Sequence, residues 1–205
     1  MVYILNKNGV FECRKSGQGE NAGNGVFCVE DVKAGTILPY YGITISDNDA
    51  DDNDETLHND NYRTYVVSAD YTTAFGNQRT VKGFSMDGDP RLPQIQKLEA
   101  YKKLACQINE AGEDSLPNCL LISNPSTSRA DIKRSFSKQV PIPVTYIVVI
   151  EDLSRGTELL TCYGGEYGDR DGYRPCKLNR RTFRKLIDSA YKHVDALPKK
   201  SNFYS

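Results

Sequence analysis

Histidine is scarce in this 205-residue chain, closely spaced cysteines are missing, and acidic and basic charge nearly cancel. The two histidines are His58, inside an acidic run, and His193, in a basic amphipathic segment. Neither is a good setting for a catalytic base or a metal ligand, which disfavours triad hydrolases and zinc hydrolases. The six cysteines (Cys13, Cys28, Cys106, Cys119, Cys162, Cys176) include no C-x-C or C-x-x-C pair. No metal site is therefore expected. The 26 Lys and Arg against 27 Asp and Glu leave a formal charge of -1, so no global field argues for nucleic acid or a membrane. No apolar run approaches the ~18 residues of a membrane-spanning helix. The apolar stretch Val2–Leu5 is too short for a secretory signal. These absences together predict free thiols in a reducing, intracellular setting, with nucleus and cytoplasm both open.

What is present is an ordinary core-forming composition. At 39% hydrophobic and 26% charged, the chain falls in the globular range. It is long enough to bury a core without disulfide or metal staples. Charge is uneven despite its balance. Seven acids and no Lys or Arg lie between Asp47 and Asp60, while ten bases and three acids lie between Arg170 and Lys200. A solvated loop and a solvated helix face are the simplest accounts of the two runs.

Periodicity predicts short strands at 25–29, 36–41, 63–69, 81–86, 118–123, 144–150 and 157–163. Helical spacing appears at Gln94–Gln107, through Ile95, Leu98, Tyr101, Leu104 and Ala105. It appears again in Phe183, Leu186, Ile187, Ala190, Tyr191, Val194 and Leu197. Asn109–Pro117 reads as a loop. The expected class is mainly β with helical additions, α+β, ending in a helix.

Three segments carry glycine or asparagine at strand ends. In Ala22-Gly23-Asn24-Gly25-Val26-Phe27 the glycines let backbone groups approach a ligand closely. A strand follows rather than a helix, so this is not a dinucleotide fingerprint. Asn109-Glu110, followed by Pro117-Asn118-Cys119, suggests side-chain amides tying a loop to backbone. Gly156-Thr157-Glu158-Leu159 through Tyr163-Gly164-Gly165 places a tyrosine beside a double glycine.

Taken in order, these segments resemble the SET domain of protein lysine methyltransferases. The glycine turn is followed by Asp31-Val32-Lys33-Ala34-Gly35-Thr36-Ile37-Leu38-Pro39-Tyr40-Tyr41-Gly42, which matches another family stretch. The resemblance runs from about Gly17 to Tyr167. It implies a β-clip fold of several small sheets, with a SET-like catalytic domain over 1–168 and a basic helical segment over 169–205 that closes or flanks the site. It implies S-adenosylmethionine as cofactor, S-adenosylhomocysteine as product, and a lysine-containing protein or peptide, such as a basic histone tail, as substrate. Membrane and nucleic-acid partners are not expected.

Residue by residue, the resemblance puts Ala22, Gly23 and Asn24 on the cofactor through backbone groups. Asn109 would bind it by its amide and Glu110 by its backbone. Tyr163 matches the tyrosine whose hydroxyl lies near the transferring methyl, and Tyr40 one that lines the lysine channel. Tyr167 and Tyr173 are candidate lid residues. Glu110 stands where the family usually has histidine, and the flanking cysteine-rich zinc segments of many chromatin members are missing. The alternative is a SET-like binding module that holds cofactor or a lysine peptide without turnover.

Overall fold

β-branched and aromatic runs become strands in the computed structural model, which describes residues 9–19, 22–46, 66–72, 78–112, 115–162 and 180–195. β1 (Phe11–Lys15) and β2 (Asn24–Cys28) form an antiparallel pair with Phe11 opposite Cys28 and Lys15 opposite Asn24. β3 (Ile37–Ser46), β4 (Val66–Thr72) and β5 (Gln78–Asp87) follow. A single helical turn, α1 (Pro93–Gln96), leads into two 3₁₀ turns at Ala100–Lys103 and Ala105–Gln107. Then come β6 (Asn109–Glu110), β7 (Cys119–Ser123), α2 (Arg129–Lys138), β8 (Ile142–Val149), β9 (Leu160–Thr161) and α3 (Arg180–Asp195). The architecture is mainly β, made of small sheets with helical additions and a helix at the C-terminal end.

The chain divides into two compact units. One takes the described residues of Met1–Leu38, Gln107–Ile122 and Tyr146–Leu197; the other takes those of Pro39–Cys106, Ser123–Thr145 and Pro198–Ser205. In the first unit, Ile37, Leu120, Ile122, Tyr146 and Val148 form a core that Ala190 and Val194 of α3 complete. Each fully buried Val, Leu or Ile contributes about 1.5–3 kcal/mol of transfer free energy. The expected terminal helix forms because its apolar stripe has this core to cover, while Arg181, Arg184, Lys185 and Lys192 stay exposed. At the end of β8, Val149 accepts from Gly35 N–H (2.8 Å) and donates to the carbonyl of Thr36 (2.9 Å).

In the second unit β5 lies between β4 and β3, antiparallel to both. Its core gathers Ala69, Val81, Met86, Ile132, Ile142 and Val144. α2, which periodicity did not reveal, starts at a capping box in which Ser128 and Asp131 satisfy each other's backbone N–H. Thr44 pins the helix, its N–H donating to Ser135 Oγ at 2.9 Å and its hydroxyl to the Ile132 carbonyl at 3.1 Å.

Two local expectations need correction. The helix read over Gln94–Gln107 is broken, because Glu99 takes an extended backbone (φ -58°, ψ 148°) between α1 and the first 3₁₀ turn. Ile95, Leu104 and Ala105 of that stripe are still buried, and Lys102 is held beside Glu99 (3.1 Å) and the Tyr41 and Tyr101 rings. The segment read as a loop from Asn109 begins with the two-residue strand β6, paired in parallel with β9. Among the described residues no helix is long and apolar enough to cross a membrane.

Candidate functional site

The first unit gathers the glycine turn, Asn109 and the Gly156–Leu159 segment around one carboxylate. Backbone bonds bring the strands together: Leu159 N–H donates to Val26 at 2.7 Å, Cys28 N–H to Thr157 at 2.9 Å, and Gly156 N–H to Cys28 at 2.7 Å. This sets Glu158 opposite Phe27 and carries its side chain across Gly25. A Cβ at Gly25 would run into the Glu158 carboxylate and lie 3.2 Å from Asn109 Nδ2. The requirement for glycine there is therefore space, since only Gly23 of the pair has a left-handed backbone (φ 64°).

Three donors converge on Glu158. Ser16 Oγ–H donates to Oε1 at 2.6 Å, Gly17 N–H to Oε2 at 3.0 Å, and Asn109 Nδ2 to Oε1 at 3.1 Å. Asn109 Nδ2 also donates to the Asn24 carbonyl at 2.9 Å. Ser16 is itself built into the turn, donating its N–H to Gly23 (3.0 Å) and accepting from Gln18 N–H (3.0 Å). Beside Gly23, the space a Cβ would occupy is open to 4 Å.

The β6–β9 ladder places Asn109 opposite Leu160 and Glu110 opposite Thr161. Ala111 N–H extends it, donating to the Thr161 carbonyl at 2.8 Å. Glu110 is buried, as is Thr161. Asn118 braces the same strand by imitating a peptide unit. Its Nδ2 donates to the Glu158 carbonyl (2.8 Å), its Oδ1 accepts from Leu160 N–H (2.9 Å), and its own N–H donates to Leu160 O (2.9 Å). Side-chain amides tying a loop to backbone were expected here, and both Asn109 and Asn118 do so. Burial pushes the Cys119 thiol well up, and that of Cys28 up to about 11, with Asp31 adding to the latter.

Of the expected site residues, Ala22, Gly23, Asn24, Asn109 and Glu110 lie in the first unit, and a hydrogen bond joins Asn24 to Asn109. Tyr40 lies in the second unit, buried, with its hydroxyl packed so tightly on Gly88 that a Cβ there would overlap it. Flanking Gly88, burial pushes the Asp87 carboxyl up to about 6, and the Asp89 carboxylate adds to the rise. The Asp89 N–H donates to Asp87 at 2.8 Å and Arg91 pairs with Asp89 at 2.6 Å. Tyr163, Tyr167 and Tyr173, and the acidic run, lie outside the described residues.

The sequence motif contains Glu158 without assigning it a role, and neither Ser16 nor Asp87 is among the expected site residues. No sequence signal marks these roles, because the partners of Glu158 lie at least 49 residues away along the chain. A surface depression of about 450 Å3, lined by Glu12, Arg14, Cys28, Val29, Arg155 and Gly156, includes none of the expected site residues. Among the described residues no three His, Cys, Asp or Glu side chains form a metal cluster.

No protein-family model matches the chain, and no curated protein matches it. Among solved structures, one match is a Plasmodium falciparum protein described as a candidate histone methyltransferase. It is 17% identical, with a TM-score of 0.39, over 75% of this chain and 92% of that one. A superposition at that level is distant, and no residue role is taken from it.

Proposed function

We propose that the protein transfers a methyl group from S-adenosylmethionine to a lysine side chain of a protein substrate, releasing S-adenosylhomocysteine. The observation that supports this most is the Glu158 carboxylate, which joins the Ser16–Gly17 turn, Gly25 and Asn109. The turn that this carboxylate holds carries Ala22, Gly23 and Asn24, which the SET resemblance puts with Asn109 on a cofactor. The residues present suit such a ligand, because Gly23 is open on its Cβ side and its left-handed backbone can turn peptide groups outward.

In this reading Ala22, Gly23 and Asn24 hold the cofactor by backbone groups, Asn109 by its amide and Glu110 by its backbone. The cofactor supplies an activated methyl group. The chain has to present a neutral amine in line with it. A lysine amine has an ordinary pKa of about 10.4, so the site must favour the neutral form. A channel lined by Tyr40 does this by penalising the ammonium. Orientation then does most of the work, worth up to about 7–11 kcal/mol in well-placed systems. The Tyr163 hydroxyl is assigned to orient the amine at the transfer point. The basic segment 169–205 closes or flanks the site, and a basic histone tail is the substrate class proposed.

The second reading, a module that binds without turnover, is favoured by one feature. Glu110 puts a buried carboxyl where the family has histidine. Methyl transfer from labelled cofactor to a panel of histones and other basic proteins separates the two. The enzyme reading expects transfer, and Tyr163→Phe to lower kcat and kcat/KM together by about 10²-fold with cofactor affinity kept. Cofactor binding with no transfer to any substrate would leave the module.

A further inference from the structure

The geometry points to Glu158 as the positioning residue of the cofactor site, the group that holds the glycine turn and Asn109 in their binding arrangement. The inference rests on the proposed cofactor reading and assigns a role to a residue that the motif alone left unexplained. Glu158 is half-buried on the segment after Gly156, while its partners come from the β1–β2 turn and from β6. Only an acceptor can serve at this point, because the Ser16 hydroxyl, the Gly17 N–H and the Asn109 amide nitrogen all face it as donors. The Ser16 hydroxyl proton is directed to Glu158, which leaves its oxygen to accept Gln18 N–H and tighten the turn. Asn109 Nδ2 divides its two hydrogens between Glu158 and the Asn24 carbonyl, so the carboxylate also fixes how Asn109 meets the glycine turn. A carboxylate with three donors at 2.6–3.1 Å is well satisfied and need not touch the ligand to act.

The variant E158Q keeps the shape but places an NH2 group among donors, so at least one of the three is left facing another donor. The test is calorimetric titration of wild type and E158Q with S-adenosylmethionine and, separately, S-adenosylhomocysteine, with amide exchange followed at Gly17. The expected result is a Kd about tenfold or more higher for both ligands by the same factor, with faster exchange at Gly17. In turnover assays KM for the cofactor rises, while kcat at saturating cofactor and KM for the lysine peptide hold. A purely structural role would instead lower the melting temperature and the binding stoichiometry and leave Kd alone. Three results overturn the inference: an unchanged Kd in E158Q, lost stoichiometry without a Kd change, or weakening confined to the cationic S-adenosylmethionine. The last would make Glu158 a direct counter-charge. Wild type that binds neither ligand removes the methyl-transfer reading and this inference together; wild type that binds beside an equally tight E158Q removes this inference alone.

Discussion

Replacing Asp87 by asparagine tests the electrostatics of the Tyr40 neighbourhood. Asp87 ends β5, is 5% exposed, and sits opposite the backbone of Ile43 and Val66. Burial raises its carboxyl most, the like charge of Asp89 raises it further, and the Asp89 N–H and Arg91 oppose the rise. The carboxyl titrates at about 6, against an ordinary 3.8. The folded state therefore holds this proton more tightly than the unfolded chain. Between pH about 4 and 6 the unfolded state has already lost it, so stability falls as pH rises through that window and stays lower above it. A shift of roughly two pKa units corresponds to about 3 kcal/mol as an order of magnitude. Asp87→Asn removes the charge and keeps an oxygen for the Asp89 N–H. The variant should melt several degrees higher at pH 7.5, and the wild-type decline between pH 4 and 6 should flatten. Melting curves of both proteins from pH 4 to 8 decide it, because their difference cancels the other carboxylates. A variant that is less stable at pH 7.5, with the same slope over pH 4 to 6, would refute the argument.

Gly25→Ala drives a methyl group into the Glu158 carboxylate and should cost about 1–3 kcal/mol, read as a lower urea midpoint at unchanged slope. Asn118→Leu strips the Glu158 carbonyl and the Leu160 N–H of their side-chain partner; about 1–3 kcal/mol should be lost for each group left unsatisfied, measured in the same titration. Thiol labelling at pH 8 should reach exposed Cys13 before Cys28 and Cys119, which should stay unmodified until denaturant is added, since both are buried and neutral at that pH. Labelling of Cys119 in the native protein would contradict its burial.

Much of the fold is legible where one residue type dominates a segment. The run Val144-Thr145-Tyr146-Ile147-Val148-Val149 is β-branched and aromatic throughout and is buried along its whole length as β8. The stripe from Phe183 to Val194 becomes α3 because it has the Ile37–Val148 core to cover. α2 escapes the same reading because only Ile132 and Ser135 of its ten residues are buried, leaving too thin a stripe, with Phe136 exposed. The 94–107 segment has the stripe but breaks at Glu99, whose extended backbone separates α1 from the first 3₁₀ turn, a break that the apolar spacing does not reveal. At the site, glycine and asparagine reveal where backbone is exposed. The role of Glu158 is invisible in the sequence because each of its partners lies at least 49 residues away.

The Ser16–Glu158 bond spans 142 residues, and that separation governs when the clamp can form. Contacts this distant carry the full entropy of loop closure before they give anything back, so the clamp belongs to the late, slow part of folding. During synthesis the glycine turn leaves the ribosome long before its acceptor is made. At about 5–20 residues per second the delay is roughly 7–28 s. Through that interval the Ser16 hydroxyl and the Gly17 N–H lack their carboxylate acceptor, and the glycine turn is held only by local bonds such as Ser16 N–H to Gly23 and Gln18 N–H to Ser16 Oγ. A nascent chain halted before Glu158 can therefore pair β1 with β2 and still lack the clamp.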